Sequence, residues 1–236
     1  RLNELVLYTR LKEKSAAIIT NGNAASENQY RQMLDIGVNL FEIPLHSPEP
    51  TAHELMTGIA GSWKKSLESI RYLVSQKAHI VAVIVITRAN YVQVAQTLEF
   101  LKKEGVEQVM LNRFNIGGQG IVEKNKLWLS QQEMNQAYQS ASAAGKKLGL
   151  ILSSNVCTPI CVLNPANFPN IAFGFCSPDV TRRPLTLDIK GYLRFCNHYP
   201  TILGNILTAT LEPMLHSDRA QAWKKIIPDF CHDCNH

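Results

Sequence analysis

Between Ala16 and Ser153 the chain alternates short runs rich in β-branched residues with longer amphipathic stretches, and this alternation restricts it to a few folds. The runs are Ala16–Thr20, Val38–Leu45, His79–Thr87, Val106–Asn112 and Leu150–Ser153. Between them, Ser26 and Gln29 form a capping box ahead of Tyr30, Met33 and Leu34, with Gly37 as the stop. A second box, Ser130 with Glu133, opens a helix carrying Met134, Ala137, Tyr138 and Ala141 on one face. Trp63, Leu67, Ile70 and Val74 recur at helical spacing, as do Tyr91, Val94, Leu98 and Leu101, which predicts helices laid on a sheet. Strands buried on both faces and joined by helices run parallel with right-handed crossovers, giving a doubly wound sheet or a barrel. In either, ligands sit at the C-terminal ends of the strands.

Beyond about residue 150 the pattern breaks. Pro159, Pro165, Pro169, Pro178 and Pro184 interrupt it, and all six cysteines fall between residues 157 and 234. Two regions are expected, residues 1–150 and 151–236, the second a small, loop-rich domain whose thin apolar core calls for metal or disulfides. The cysteines are Cys157, Cys161, Cys176, Cys196, Cys231 and Cys234. The long cysteine-free region ahead of them is typical of cytosolic enzymes and argues against disulfides. The C-x3-C at Cys157 and the C-x2-C at Cys231 have metal-ligand spacing, suited to zinc or an iron-sulfur cluster, and His232 and His236 could join a zinc site.

Composition narrows the function classes. Hydrophobic residues at 45% and charged residues at 18% exclude a disordered chain or a coiled coil. The excess of 24 basic over 19 acidic residues is spread in pairs such as Lys64-Lys65 and Lys146-Lys147, so neither nucleic acid nor a membrane is an expected partner. The longest strongly apolar run, Ile80–Ile86, is far below the roughly 18 residues that a membrane span needs. No Gly-Lys phosphate loop, G-x-G-x-x-G, G-x-S-x-G or H-E-x-x-H is present.

Several segments together resemble the radical S-adenosylmethionine enzymes that carry a SPASM-type auxiliary iron-sulfur domain. Thr20-Asn21-Gly22 is similar to the family's third-strand T-N-G, and Ile43-Pro44-Leu45-His46-Ser47-Pro48 to its fourth-strand I-S-L-[DH]-G-P. Gly61-Ser62-Trp63, Val85 to Asn90 and Leu111-Asn112-Arg113-Phe114 continue in family order. Cys176, Gly191 and Cys196 match the SPASM opening, and Leu203 to Ile206 and Cys231-His232-Asp233-Cys234 follow. The resemblance implies a partial (β/α) barrel of parallel strands followed by the cysteine-containing auxiliary domain. It implies S-adenosylmethionine and 4Fe-4S clusters as cofactors, a peptide or protein substrate, an external electron donor and a cytoplasmic location.

For site residues, the resemblance implies S-adenosylmethionine contacts from Asn21, His46, Ser47, Arg88 and Asn112. Cluster ligation falls to Cys176, Cys196 and Cys157 or Cys161 in one site, and to Cys231 and Cys234 in another. Three departures accompany it. The family's C-x3-C-x2-C and G-G-E are expected ahead of Arg1, and the final C-x2-C is expected to continue past His236, so the chain reads as a fragment inactive by itself. Pro44 and Thr57 stand where a serine and an arginine are expected. The competing reading is a non-catalytic α/β module with structural zinc.

Overall fold

The computed structural model describes residues 1–175, 177, 184–196 and 198–224. They fall in two compact units, Arg1–Gly174 and Phe175–His236. In the first, a helix α1 (Leu2–Leu11) precedes the strands β1 (Ala17–Ile19), β2 (Leu40–Pro44), β3 (Ile80–Ile86), β4 (Gln108–Arg113), β5 (Ile151–Ser154) and β6 (Ile171–Phe173). Between the strands lie α2 (Glu27–Ile36), α3 (Pro50–Thr57), α4 (Ser62–Ser75), α5 (Val94–Lys103), the short α6 (Lys124–Leu127) and α7 (Gln131–Leu148).

All six strands are parallel and lie side by side in chain order. A doubly wound sheet would reverse direction partway, so this order selects the barrel alternative. The packing agrees. Phe41, Ile43, Ala82, Ile84, Ile86, Val109 and Leu111 share one cluster with Tyr30, Ile70, Leu98 and Tyr138 of the helices. Leu40, Val81, Val83 and Met110, which alternate with them along the strands, form a small cluster of their own on the opposite face. The helices thus cover one side of the sheet.

Both capping boxes close as read: Ser26 accepts from the Gln29 amide and Ser130 from the Glu133 amide, each with the reciprocal bond. Gly37 ends α2 at φ 98°, a left-handed conformation costly for any residue with a Cβ. The boundary expected near residue 150 falls inside the sheet, because Leu152, Ser153 and Ser154 of β5 pair with β6 beyond the first prolines. Three residues between proline-bearing loops gave β6 no periodic signature of its own.

The second unit is built differently. β7 (Thr186–Leu187), β8 (Tyr192–Arg194) and β9 (Gly204–Asn205) form an antiparallel sheet, followed by α8 (Leu211–Leu215) and α9 (Asp218–Lys224). Asp188 makes the β7–β8 turn: its carbonyl accepts from the Gly191 amide, and its carboxylate from the amides of Lys190 and Tyr192. Gly191 sits at φ 84°, and a Cβ there would lie 2.8 Å from Asn205 Oδ1. That is a physical reason for glycine at the position the SPASM pattern specifies. Among the described residues no helix is long and apolar enough to cross a membrane.

Candidate functional site

Parallel alignment brings the residues that follow β1, β2 and β3, and those that end β4, to one edge of the sheet. Asn21, His46, Ser47, Arg88 and Asn112 all lie along it, and the structure shows what each side chain does there. Asn21 Oδ1 accepts from the Asn23 amide at 3.1 Å, while its carbonyl accepts from Ser66 Oγ at 2.7 Å. Ser47 is fully buried, donating to Gln93 Oε1 at 3.1 Å and accepting from the Glu49 amide at 3.0 Å. Arg88 turns toward the start of α7, pairing with Glu133 at 3.4 Å and donating to the Asn125 carbonyl. With Ile116, Lys124, Asn125 and Trp128 it lines a hollow of about 290 Å³.

His46 is the most constrained of the set. Its Nδ1 accepts from the Val85 amide at 3.3 Å, its own amide donates to His53 Nδ1 at 3.1 Å, and the two rings stack 5.2 Å apart. Burial, reinforced by the neighbouring His53, lowers its pKa to about 3, so it is neutral at physiological pH. Asn90, also buried, donates to the carbonyls of His46 and Val85, both at 2.9 Å, and accepts from the Thr87 amide at 2.8 Å. This knot ties the ends of β2 and β3 together. Asn90 and His53 carry it, and neither stood out in the sequence as a site residue.

At the end of β4 the same logic extends to the cysteines. Asn112 Oδ1 accepts from the amides of Asn155 and Val156 at 3.1 and 3.3 Å. Arg113 donates to the Cys157 carbonyl from Nε and Nη2, at 3.1 and 2.6 Å, and to Thr158 Oγ1 at 3.1 Å. Gln131, at the start of α7, donates to the carbonyls of Cys161 and Val162. Both cysteines of the C-x3-C therefore sit in one loop after β5, with Cys157 partly buried and Cys161 exposed.

In the second unit, the His198 amide donates to Cys196 Sγ at 3.4 Å, the kind of N–H···S bond that favours a thiolate ligand. Cys176, Cys231 and Cys234 lie outside the described residues. Among the described residues no three histidine, cysteine or acidic side chains gather as a metal site. The donor set that is described, thiols on anchored backbone with an amide bonded to one sulfur, fits an iron-sulfur cluster in its chemistry.

Residues 176–235 match the SPASM family model, an iron-sulfur cluster-binding domain. The chain is similar to the PqqA peptide cyclase of Granulibacter bethesdensis, 21% identical over 158 residues that cover 67% of this chain and 42% of that protein. It thus spans less than half the length of that curated relative. Its fold is similar to that of native anSMEcpe with bound AdoMet, at a TM-score of 0.70 and 14% identity, covering 98% of this chain and 68% of that one. It is similar also to Streptococcus suis SuiB bound to S-adenosylmethionine, at a TM-score of 0.73 and 10% identity, covering 99% and 56%. Residues 176–235 thus match an iron-sulfur cluster-binding SPASM domain, and the chain shares its fold with these two structures.

Proposed function

We propose that this chain contributes the barrel and auxiliary-cluster regions of an enzyme that modifies a peptide or protein substrate by hydrogen abstraction, a peptide maturase. It works with S-adenosylmethionine and 4Fe-4S clusters, draws electrons from an external donor and acts in the cytoplasm. The observation that carries this reading is the SPASM match over residues 176–235, which follow in sequence a one-sided parallel sheet of six strands. SuiB has been captured with its precursor peptide SuiA, which supports a peptide as the substrate class.

When bound, S-adenosylmethionine and a reduced cluster supply the adenosyl radical that abstracts the hydrogen. The chain's residues do the rest. Asn21, His46, Ser47, Arg88 and Asn112 frame the cofactor end of the barrel, and the buried knot of His46, His53 and Asn90 fixes the strand ends that bear them. His46, neutral at physiological pH, adds no positive charge to this end of the sheet. Cys157, Cys161, Cys176, Cys196, Cys231 and Cys234 are the proposed cluster ligands.

The test is metal analysis joined to turnover. Anaerobically reconstituted protein is expected to hold iron with acid-labile sulfide, and its full-length form to release 5′-deoxyadenosine in a peptide-dependent manner. Stoichiometric zinc without sulfide, in protein prepared anaerobically, would overturn the proposal.

A further inference from the structure

The last two residues of β4 point to opposite sides of the sheet and grip the same loop. Asn112 pairs in register with Val85, on the face of Val81 and Val83, while Arg113 pairs with Ile86, on the face packed by helices. From one side Asn112 accepts the amides of Asn155 and Val156; from the other Arg113 forks onto the Cys157 carbonyl and reaches Thr158 Oγ1. Five hydrogen bonds thus fix four consecutive residues, with Cys157 among them. Regular secondary structure does not require this, since β5 has already ended at Ser154.

Arg113 is half-buried, and its guanidinium donates to the carbonyls of Cys157 and Phe114 and to Thr158 Oγ1. Two N–H groups of the planar fork converge on the one Cys157 carbonyl, a grip that a single-donor side chain does not reproduce.

We infer that Asn112 and Arg113 are positioning residues for Cys157, holding its backbone so that the sulfur is presented to an iron-sulfur cluster from a rigid strand end. The inference rests on the reading of Cys157 as a cluster ligand. It gives Asn112, whose Oδ1 is taken by the loop amides, a second role beside its place at the cofactor end. Groups that orient a metal ligand commonly change metal affinity about 10- to 100-fold when removed.

The experiment uses the whole chain, reconstituted anaerobically with ferrous iron and sulfide. It follows the rate of iron loss to a chelator and the electron paramagnetic resonance spectrum of the reduced protein. Arg113→Met and Asn112→Leu are expected to lose iron about 10-fold faster than the parent, with an altered spectrum. Arg113→Lys, which keeps one donor and the charge, should lie between, and Asn112→Asp, which keeps the acceptor, should stay close to the parent.

Parental rates and spectra in both Arg113→Met and Asn112→Leu, with faster loss in Cys157→Ala, would overturn the positioning role alone. Parental iron retention in Cys157→Ala would overturn the ligand reading and this inference with it. Should Arg113→Met fail to fold by circular dichroism, equal rates in Asn112→Leu and Asn112→Asp would still contradict the role.

Discussion

In the first unit the core is continuous: α2, α4, α5 and α7 lay Tyr30, Ile70, Leu73, Leu98, Leu101 and Tyr138 on Phe41, Ile43, Ile84, Ile86 and Leu111. In the second, the described core is Leu193, Phe195, Leu203, Met214 and Ala220, flanked by Leu185, Leu215 and Trp223, beside strands of two or three residues. The apolar core of the first unit runs the length of its sheet, whereas among the described residues of the second unit the core is small, and Ile189, Leu187 and Leu207 are exposed. The contrast teaches where an added source of cohesion would matter most, and thiolate-metal bonds from the cysteines are the source that the proposed function supplies.

The largest effect expected from a single substitution falls on the first unit. Phe41, fully buried and edge-on to Tyr30 at 5.7 Å, should cost about 3–5 kcal/mol on replacement by Ala. Thermal unfolding would register this in the first unit's transition, with the iron content of the protein unchanged. A loss of iron to the same degree would erase the proposed division.

Acid should act next, again on the first unit. His46 has a pKa of about 3 when folded, against an ordinary value of 6.5. Below pH 6.5 the unfolded chain therefore binds a proton that the folded chain refuses. The stabilisation is complete above pH 6.5 and is lost as pH falls toward 3, with a limit on the order of 5 kcal/mol. Denaturant melts at stepped pH should show a steeper decline for the parent than for His46→Asn. Equal slopes would show that His46 titrates normally.

The smallest of the three concerns the hairpin of the second unit. Gly191→Ala imposes a left-handed backbone and an approach to Asn205, costing about 1–2 kcal/mol. Faster proteolysis of the β7–β8 hairpin, with the first unit's melting temperature unchanged, is the expected outcome. Unchanged proteolysis would mean that this turn does not limit the second unit's stability.

How legible these features were depends on whether they are local. The five strands that run from Ala17 to Ser154 and the capping boxes at Ser26 and Ser130 follow from periodicity and short-range chemistry, and were readable. β6 was not, because three residues carry no period and its place depends on pairing with β5. His46 and Asn112 are the first polar positions after apolar runs, whereas Asn21, Ser47 and Arg88 were legible through the family resemblance. Their partners were not: Asn90 reaches His46 across 44 positions, and Arg113 reaches Cys157 across the same separation. Periodicity alone left a barrel and a doubly wound sheet open; the family resemblance implied the partial barrel, and the strand order bears it out.

The most direct test of the division is limited proteolysis of the whole chain, anaerobically reconstituted and then stripped of iron by a chelator. Removal of iron is expected to open residues 175–236 to rapid cleavage while a fragment close to residues 1–174 persists with its circular dichroism intact. Equal protection of the second unit with and without iron would contradict the claim that its cysteines, through a bound cluster, hold it together.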